Sequence, residues 1–182
     1  MDLIYSRDNP KNATISLTTG QLVYEILTEE KTWSSEPTVI RKFQYPGHPP
    51  VEIGQVKMRS FHPDICQAWG RDIRPRKEDL LSSGRSFTSL VNGQEYNWKR
   101  KSSKAILTDK FKNTVAIYEE SHSGFRKKKT PAKLSVTPGG MPILDEIVVT
   151  CVYYEQQCRE DAEIAGGVGE GVGEAIGAAI AS

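Results

Sequence analysis

The segment ILDEIVVTCVYYEQQCRE, residues 143–160, constrains this chain more than any other. From Ile147 to Tyr154 only Thr150 interrupts a run of apolar side chains. A stretch that is apolar on every side has to be buried on every side. Its β-branched and aromatic residues favour a strand. Its length, the acids Asp145 and Glu146 at the front and Arg159 near the back favour a helix, whose dipole those charges match. The residues alone leave both readings open.

What precedes this segment reads as β. Short runs rich in β-branched and aromatic residues recur at Leu3–Tyr5, Ala13–Thr18, Leu22–Thr28, Thr38–Gln44, Val51–Arg59 and Ile65–Trp69. They continue at Ser86–Leu90, Glu95–Arg100, Lys104–Thr108, Thr114–Glu119 and Ala132–Val136. Gly20 joins the second and third runs as a hairpin, and Pro49-Pro50 breaks the chain between two others. Asn92-Gly93 predicts a tight hairpin turn, beyond which Tyr96 and Trp98 share one face of their strand. Arg71–Ser83 has the weakest strand signal, with one helical turn expected at Lys77–Leu81. Many short strands at this spacing predict a mainly β domain, an antiparallel sandwich or barrel. Residues 161–182 differ: six glycines lie among Ala and Glu, and a disordered or loosely helical tail is expected.

A net charge of +1 hides three unequal segments. Residues 1–40 hold 3 Lys/Arg against 6 Asp/Glu, residues 41–140 hold 20 against 9, and residues 141–182 hold 1 against 8. The basic middle is suited to an anionic partner. No run of 18 apolar residues supports a transmembrane helix. The N-terminal MDLIYSRDNP has no basic-then-apolar signal pattern, so an intracellular, cytoplasmic protein is expected. Cys66, Cys151 and Cys158 form neither a disulfide framework nor a zinc spacing, and His48, His62 and His122 share no ligand spacing with them. In a strand His62, Asp64 and Cys66 would share a face, which invites a Cys/His reading. No elbow or oxyanion-type glycine motif accompanies them, and no phosphate-binding or dinucleotide glycine loop is present. No catalytic residue, metal or cofactor is expected.

Four segments carry a resemblance: Arg85–Thr88, Asn92–Lys99, Val115–Tyr118 and Leu144–Thr150, in this order. Together they resemble a large family of small fungal proteins, abundant in mushroom-forming species, which is itself similar to the tubby C-terminal-like superfamily. That superfamily includes the phospholipid scramblases and the plant LURP-one-related proteins. The likeness spans roughly residues 1–160 and is strongest from Arg85 to Glu160. It implies a closed antiparallel β-barrel of about twelve strands around a buried hydrophobic helix. Residues 143–160 would be that helix, and 161–182 would lie outside the domain.

The resemblance also implies a non-enzymatic module that binds anionic phospholipid of the phosphoinositide type. The groups here that would do so are Trp98, Lys99, Arg100 and Lys101, with Arg126, Lys127, Lys128, Lys129 and Lys133. Each Lys or Arg near an anionic bilayer contributes about 1 kcal/mol, and a tryptophan anchors at the interface. Nucleic acid ranks lower, because Tyr96 and Trp98 are expected to face the interior. The alternative is a protein-interaction or self-associating protein that uses residues 162–182.

Overall fold

The computed structural model describes residues 1–29, 36–45, 47–59, 61–77, 84–122 and 130–179, with 165–179 as backbone. Twelve strands form, most of them alternating inward and outward residues: β1 (Asp2–Tyr5), β2 (Ala13–Leu17), β3 (Leu22–Thr28), β4 (Thr38–Lys42), β5 (Val51–Lys57) and β6 (Ile65–Ala68). The others are β7 (Arg71–Asp72), β8 (Gly84–Thr88), β9 (Glu95–Lys101), β10 (Lys104–Asp109), β11 (Thr114–Glu119) and β12 (Lys133–Val136). All twelve form one antiparallel sheet in the order β7-β6-β5-β4-β3-β2-β1-β12-β11-β10-β9-β8. Among the described residues one bridge, Arg76 with Ser86, links the segment after β7 to β8 at the opposite end of that order.

Eleven strands coincide with the expected runs. The twelfth, β7, is two exposed polar residues held to β6 through Gln67–Asp72 and Ala68–Arg71, which no hydrophobic pattern marks. The helical turn expected at Lys77–Leu81 falls largely outside the described residues. At Asn92-Gly93 the hairpin forms, but not as a two-residue turn. The loop runs from Ser89 to Gln94, whose backbone groups bond across it (2.8 Å), and only Gly93 takes a positive φ, 67°. The Ser89 hydroxyl accepts the Val91 and Asn92 amides, and the Asn92 carbonyl accepts the Gln94 amide. These side chains stabilise the longer loop locally.

The apolar run resolves as a helix. Pro138–Ile143 is a 3-10 turn, and α1 follows from Leu144 to Ala179, continuing through the glycine-rich segment. Every residue from Ile147 to Tyr154 is buried. Burial rather than propensity holds this β-branched stretch helical. Its partners come from the whole sheet. At its start Asp145 accepts from Tyr24 of β3 (2.7 Å) and Lys42 of β4 (2.8 Å). Further on, Thr150 meets Trp98 of β9, Gln156 meets Thr38 of β4, and Arg159 meets Asp8 between β1 and β2.

Gly54 of β5 marks the closest approach of sheet and helix. A Cβ there would lie 2.5 Å from Val149 Cγ2 and 2.7 Å from the Gln67 carbonyl oxygen. The Gln67 oxygen is backbone of β6 and the Val149 methyls are packed on α1, so the added carbon has to push strand and helix apart. Gly54→Ala is expected to lower the unfolding free energy by about 1–3 kcal/mol in urea titration. An unchanged midpoint would mean that α1 does not seat on β5 as described.

Because every neighbouring pair is antiparallel, the connections alternate between two ends. The β2–β3, β4–β5, β6–β7, β8–β9 and β10–β11 turns share one end with the entry to α1. The β1–β2, β5–β6, β9–β10 and β11–β12 connections share the other.

Candidate functional site: a lysine-lined cleft on the outer face

Alternation sends Tyr96, Trp98 and Arg100 of β9 inward and Glu95, Asn97, Lys99 and Lys101 outward. Trp98 is wholly buried, stacks on Tyr154 with ring centroids 5.9 Å apart, and donates its indole N–H to Thr150 Oγ1 (3.0 Å). It therefore anchors the helix and presents nothing to a bilayer, which removes it from the expected lipid-binding set. Arg100 leaves the set for a different reason. Its guanidinium bonds Glu155 of α1 (2.9 Å) and also pairs with Glu120. Lys133 lies between Glu119 (3.5 Å) and Asp2 (3.9 Å), so its charge is already matched. Arg126, Lys127, Lys128 and Lys129 lie outside the described residues. The flanking His122 and Thr130 pair through their backbones.

Lys99 and Lys101 remain, exposed, and they stand beside two lysines that the charge clusters did not single out. Lys110 and Lys112 occupy the β10–β11 turn and line the same cleft, of about 870 Å³, over β8, β9 and β10. Its floor mixes apolar surface, Ile106 included, with polar groups: Asn97 donates to Ser86 Oγ (2.7 Å), and Thr108 lies opposite Asn97. None of the four lysines is in a salt bridge among the described residues. Glu95 and Asp109 are the acids lining the cleft. Asp109 is committed to its turn: bonds from the Asn113 side chain and from the Asn113 and Phe111 amides hold its carboxyl below the ordinary range. The signal that could have found this half of the cleft is Lys110-Phe111-Lys112, two cations around one aromatic at a turn.

The Cys/His grouping does not assemble. Cys66 is wholly buried on β6, where burial pushes its thiol well up, while His62 is exposed in the preceding loop. Asp64 is engaged by the Arg59 amide, the Tyr153 hydroxyl and Gln157. Cys151 is likewise buried, with its thiol pushed up by burial. Among the described residues no three His, Cys, Asp or Glu side chains group as metal ligands, and no helix is long and apolar enough to cross a membrane. The chemistry the cleft offers is charge: four lysines around a floor that carries the Asn97, Ser86 and Thr108 polar groups.

Residues 8–160 match the model of a family described as a family of unknown function, DUF6593. Neither curated proteins nor solved structures give a match.

Proposed function

We propose, for a chain that belongs to the DUF6593 family, that it is a non-enzymatic module binding anionic phospholipid of the phosphoinositide type. The observation that carries this reading is the cleft: Lys99, Lys101, Lys110 and Lys112 stand around one opening with no ion pair among the described residues, whereas Arg100, Lys133, Lys42 and Arg159 are paired. Phosphate oxygens are the acceptors that ammonium groups on such a floor fit, and clustered lysines bind them as point charges. The reading as a closed, tubby-like barrel is part of the same proposal. The Arg76–Ser86 bridge between the two ends of the strand order and the burial of Ile147–Tyr154 support it.

The test is co-sedimentation with phosphatidylcholine vesicles, with and without a phosphoinositide, at low and physiological salt. Binding is expected only to the phosphoinositide vesicles and is expected to weaken with salt. Lys99→Glu with Lys101→Glu is expected to weaken it at least about tenfold with the fold intact, since each cation contributes about 1 kcal/mol. Charge reversal at Lys127–Lys129 runs in parallel and tests the basic loop. Absence of binding at both salt concentrations rejects the proposal.

A second reading, self-association through residues 162–182, is favoured by one observation. α1 continues past Asp161, where Arg85 makes a contact of 3.3 Å, and runs to Ala179. Deleting 162–182 would then convert a dimer to a monomer on a sizing column and leave vesicle binding unchanged.

A further inference from the structure

The exposed large hydrophobic residues are not scattered. Tyr45, Val51, Trp69, Val91, Phe111 and Met141 sit in five different loops or strand starts and in the 3-10 turn, and the alternation of connections puts all of them at the end where α1 begins. Among the described large hydrophobics with exposed surface, only Phe61 and Ile164 lie at the opposite end. Tyr45 is 67%, Val91 61% and Phe111 73% exposed. A globular protein carries single exposed apolar residues anywhere, but their collection at one end marks an interaction surface.

Two of these tips are held in backbone that side chains rarely adopt. Trp69 has φ 52°, with its amide bonded to the Ile53 carbonyl (2.8 Å), and Lys112 beside Phe111 has φ 66°. Strain of this kind persists where the surrounding structure imposes it, and it gathers at functional positions. Cations stand next to both tips. Arg71 follows Trp69 by two residues, Lys110 and Lys112 enclose Phe111, and the Lys110 ammonium lies 5.0 Å from the Phe111 ring centre. Of the acids at this end, Asp109 is held by its own turn, Asp145 by Lys42 and Asp72 by Arg76, while Glu52 and Glu95 stay exposed.

Aromatic tips on separate loops, each beside a cation, match the boundary between acyl chains and anionic headgroups: rings settle at the interface and lysines take the phosphates. A flat protein partner would instead call for a contiguous apolar face with a polar rim. We propose that this end of the molecule docks on an anionic phospholipid bilayer, seating Trp69 and Phe111 in the interface while Lys110 and Lys112 bind headgroup phosphates. The proposal rests on the lipid-binding reading above and adds the orientation. The cleft, which shares Lys110 and Lys112, then stands at the membrane surface on the molecule's flank.

The test uses the full chain carrying Trp33→Phe, so that Trp69 and the buried Trp98 are the emitters. Vesicles of phosphatidylcholine and phosphatidylserine with brominated acyl chains are expected to quench and blue-shift the emission. That quenching is expected to vanish when Trp69→Phe is added. Phe111→Ser with Met141→Ser is expected to weaken vesicle binding about tenfold, the loss of burial of a large side chain, without changing the far-UV spectrum. Binding to the anionic vesicles with no quenching, and no effect of the Phe111 and Met141 substitutions, overturns the orientation and leaves the cleft standing. Binding to no vesicle overturns both. A dimer that these substitutions dissociate would identify the end as a face between copies and also overturn the proposal.

Discussion

Trp98→Ala is expected to cost about 3–5 kcal/mol of unfolding free energy, the largest single effect in this molecule. The indole is the biggest side chain in the core, it stacks on Tyr154 of α1, and it supplies the N–H that Thr150 accepts. Its loss opens a cavity between β9 and the helix that neither can close, since the sheet fixes one side and α1 is packed on others. Trp98→Phe keeps much of the volume but loses the hydrogen bond and part of the ring system, so a smaller cost of about 1–3 kcal/mol is expected. Urea unfolding followed by circular dichroism separates the two variants. Because Trp98 faces inward, vesicle binding by Trp98→Phe is expected to equal that of the unmodified chain. A cost below about 1 kcal/mol for Trp98→Ala would contradict this packing.

Arg100→Met is the second. Glu155 is 2% exposed at its side chain, one of its oxygens is bonded to Arg100, and the other has no partner among the described residues. Removing the cation leaves an uncompensated carboxylate in the interior, which costs about 3–5 kcal/mol when such a pair is broken from one side. The pH dependence gives a check. Burial already raises the Glu155 carboxyl above its ordinary value despite the opposing pull of Arg100. A carboxyl whose folded pKa is raised is a penalty on the folded state that is absent below the unfolded pKa and complete above the folded one. Without Arg100 that folded value rises further. The variant's deficit is therefore expected to be greatest at neutral pH and to shrink as the pH falls toward the ordinary carboxylate range. Arg100→Met with Glu155→Gln is expected to recover most of the loss, since no buried charge is left. A deficit that is the same at every pH would contradict the assignment.

Most of the sheet was legible because its strands bury every second residue, and that period is visible without any partner. β7 was not, because two exposed polar residues carry no period, and its pairing with β6 depends on the turn at Trp69-Gly70. The Asn92-Gly93 hairpin was found but its length was not, since Ser89 and Asn92 bond backbone groups that a two-residue turn would have left elsewhere. Residues 147–154 carried a true ambiguity. Strand propensity and helical length opposed each other, and what decides is burial on all sides, a property of the assembled fold.

The site was half legible. Lys99 and Lys101 face outward as the strand period requires, and the same period turns Trp98 inward. That Arg100 is spent on Glu155, 55 residues along the chain, and Lys133 on Glu119 follows from long-range pairing that no local pattern encodes. Lys110 and Lys112 enter the cleft only because β9 and β10 pair side by side, with Asp109 opposite Tyr96.

The most direct test of the central claim is an amide-resolved NMR titration of the labelled chain with a short-chain, water-soluble phosphoinositide. The account predicts saturable shifts confined to β9, β10 and the β10–β11 turn, centred on Lys99, Lys101, Thr108, Lys110 and Lys112, which salt reverses. Shifts centred elsewhere, or none at concentrations that saturate phosphoinositide vesicles, would contradict it.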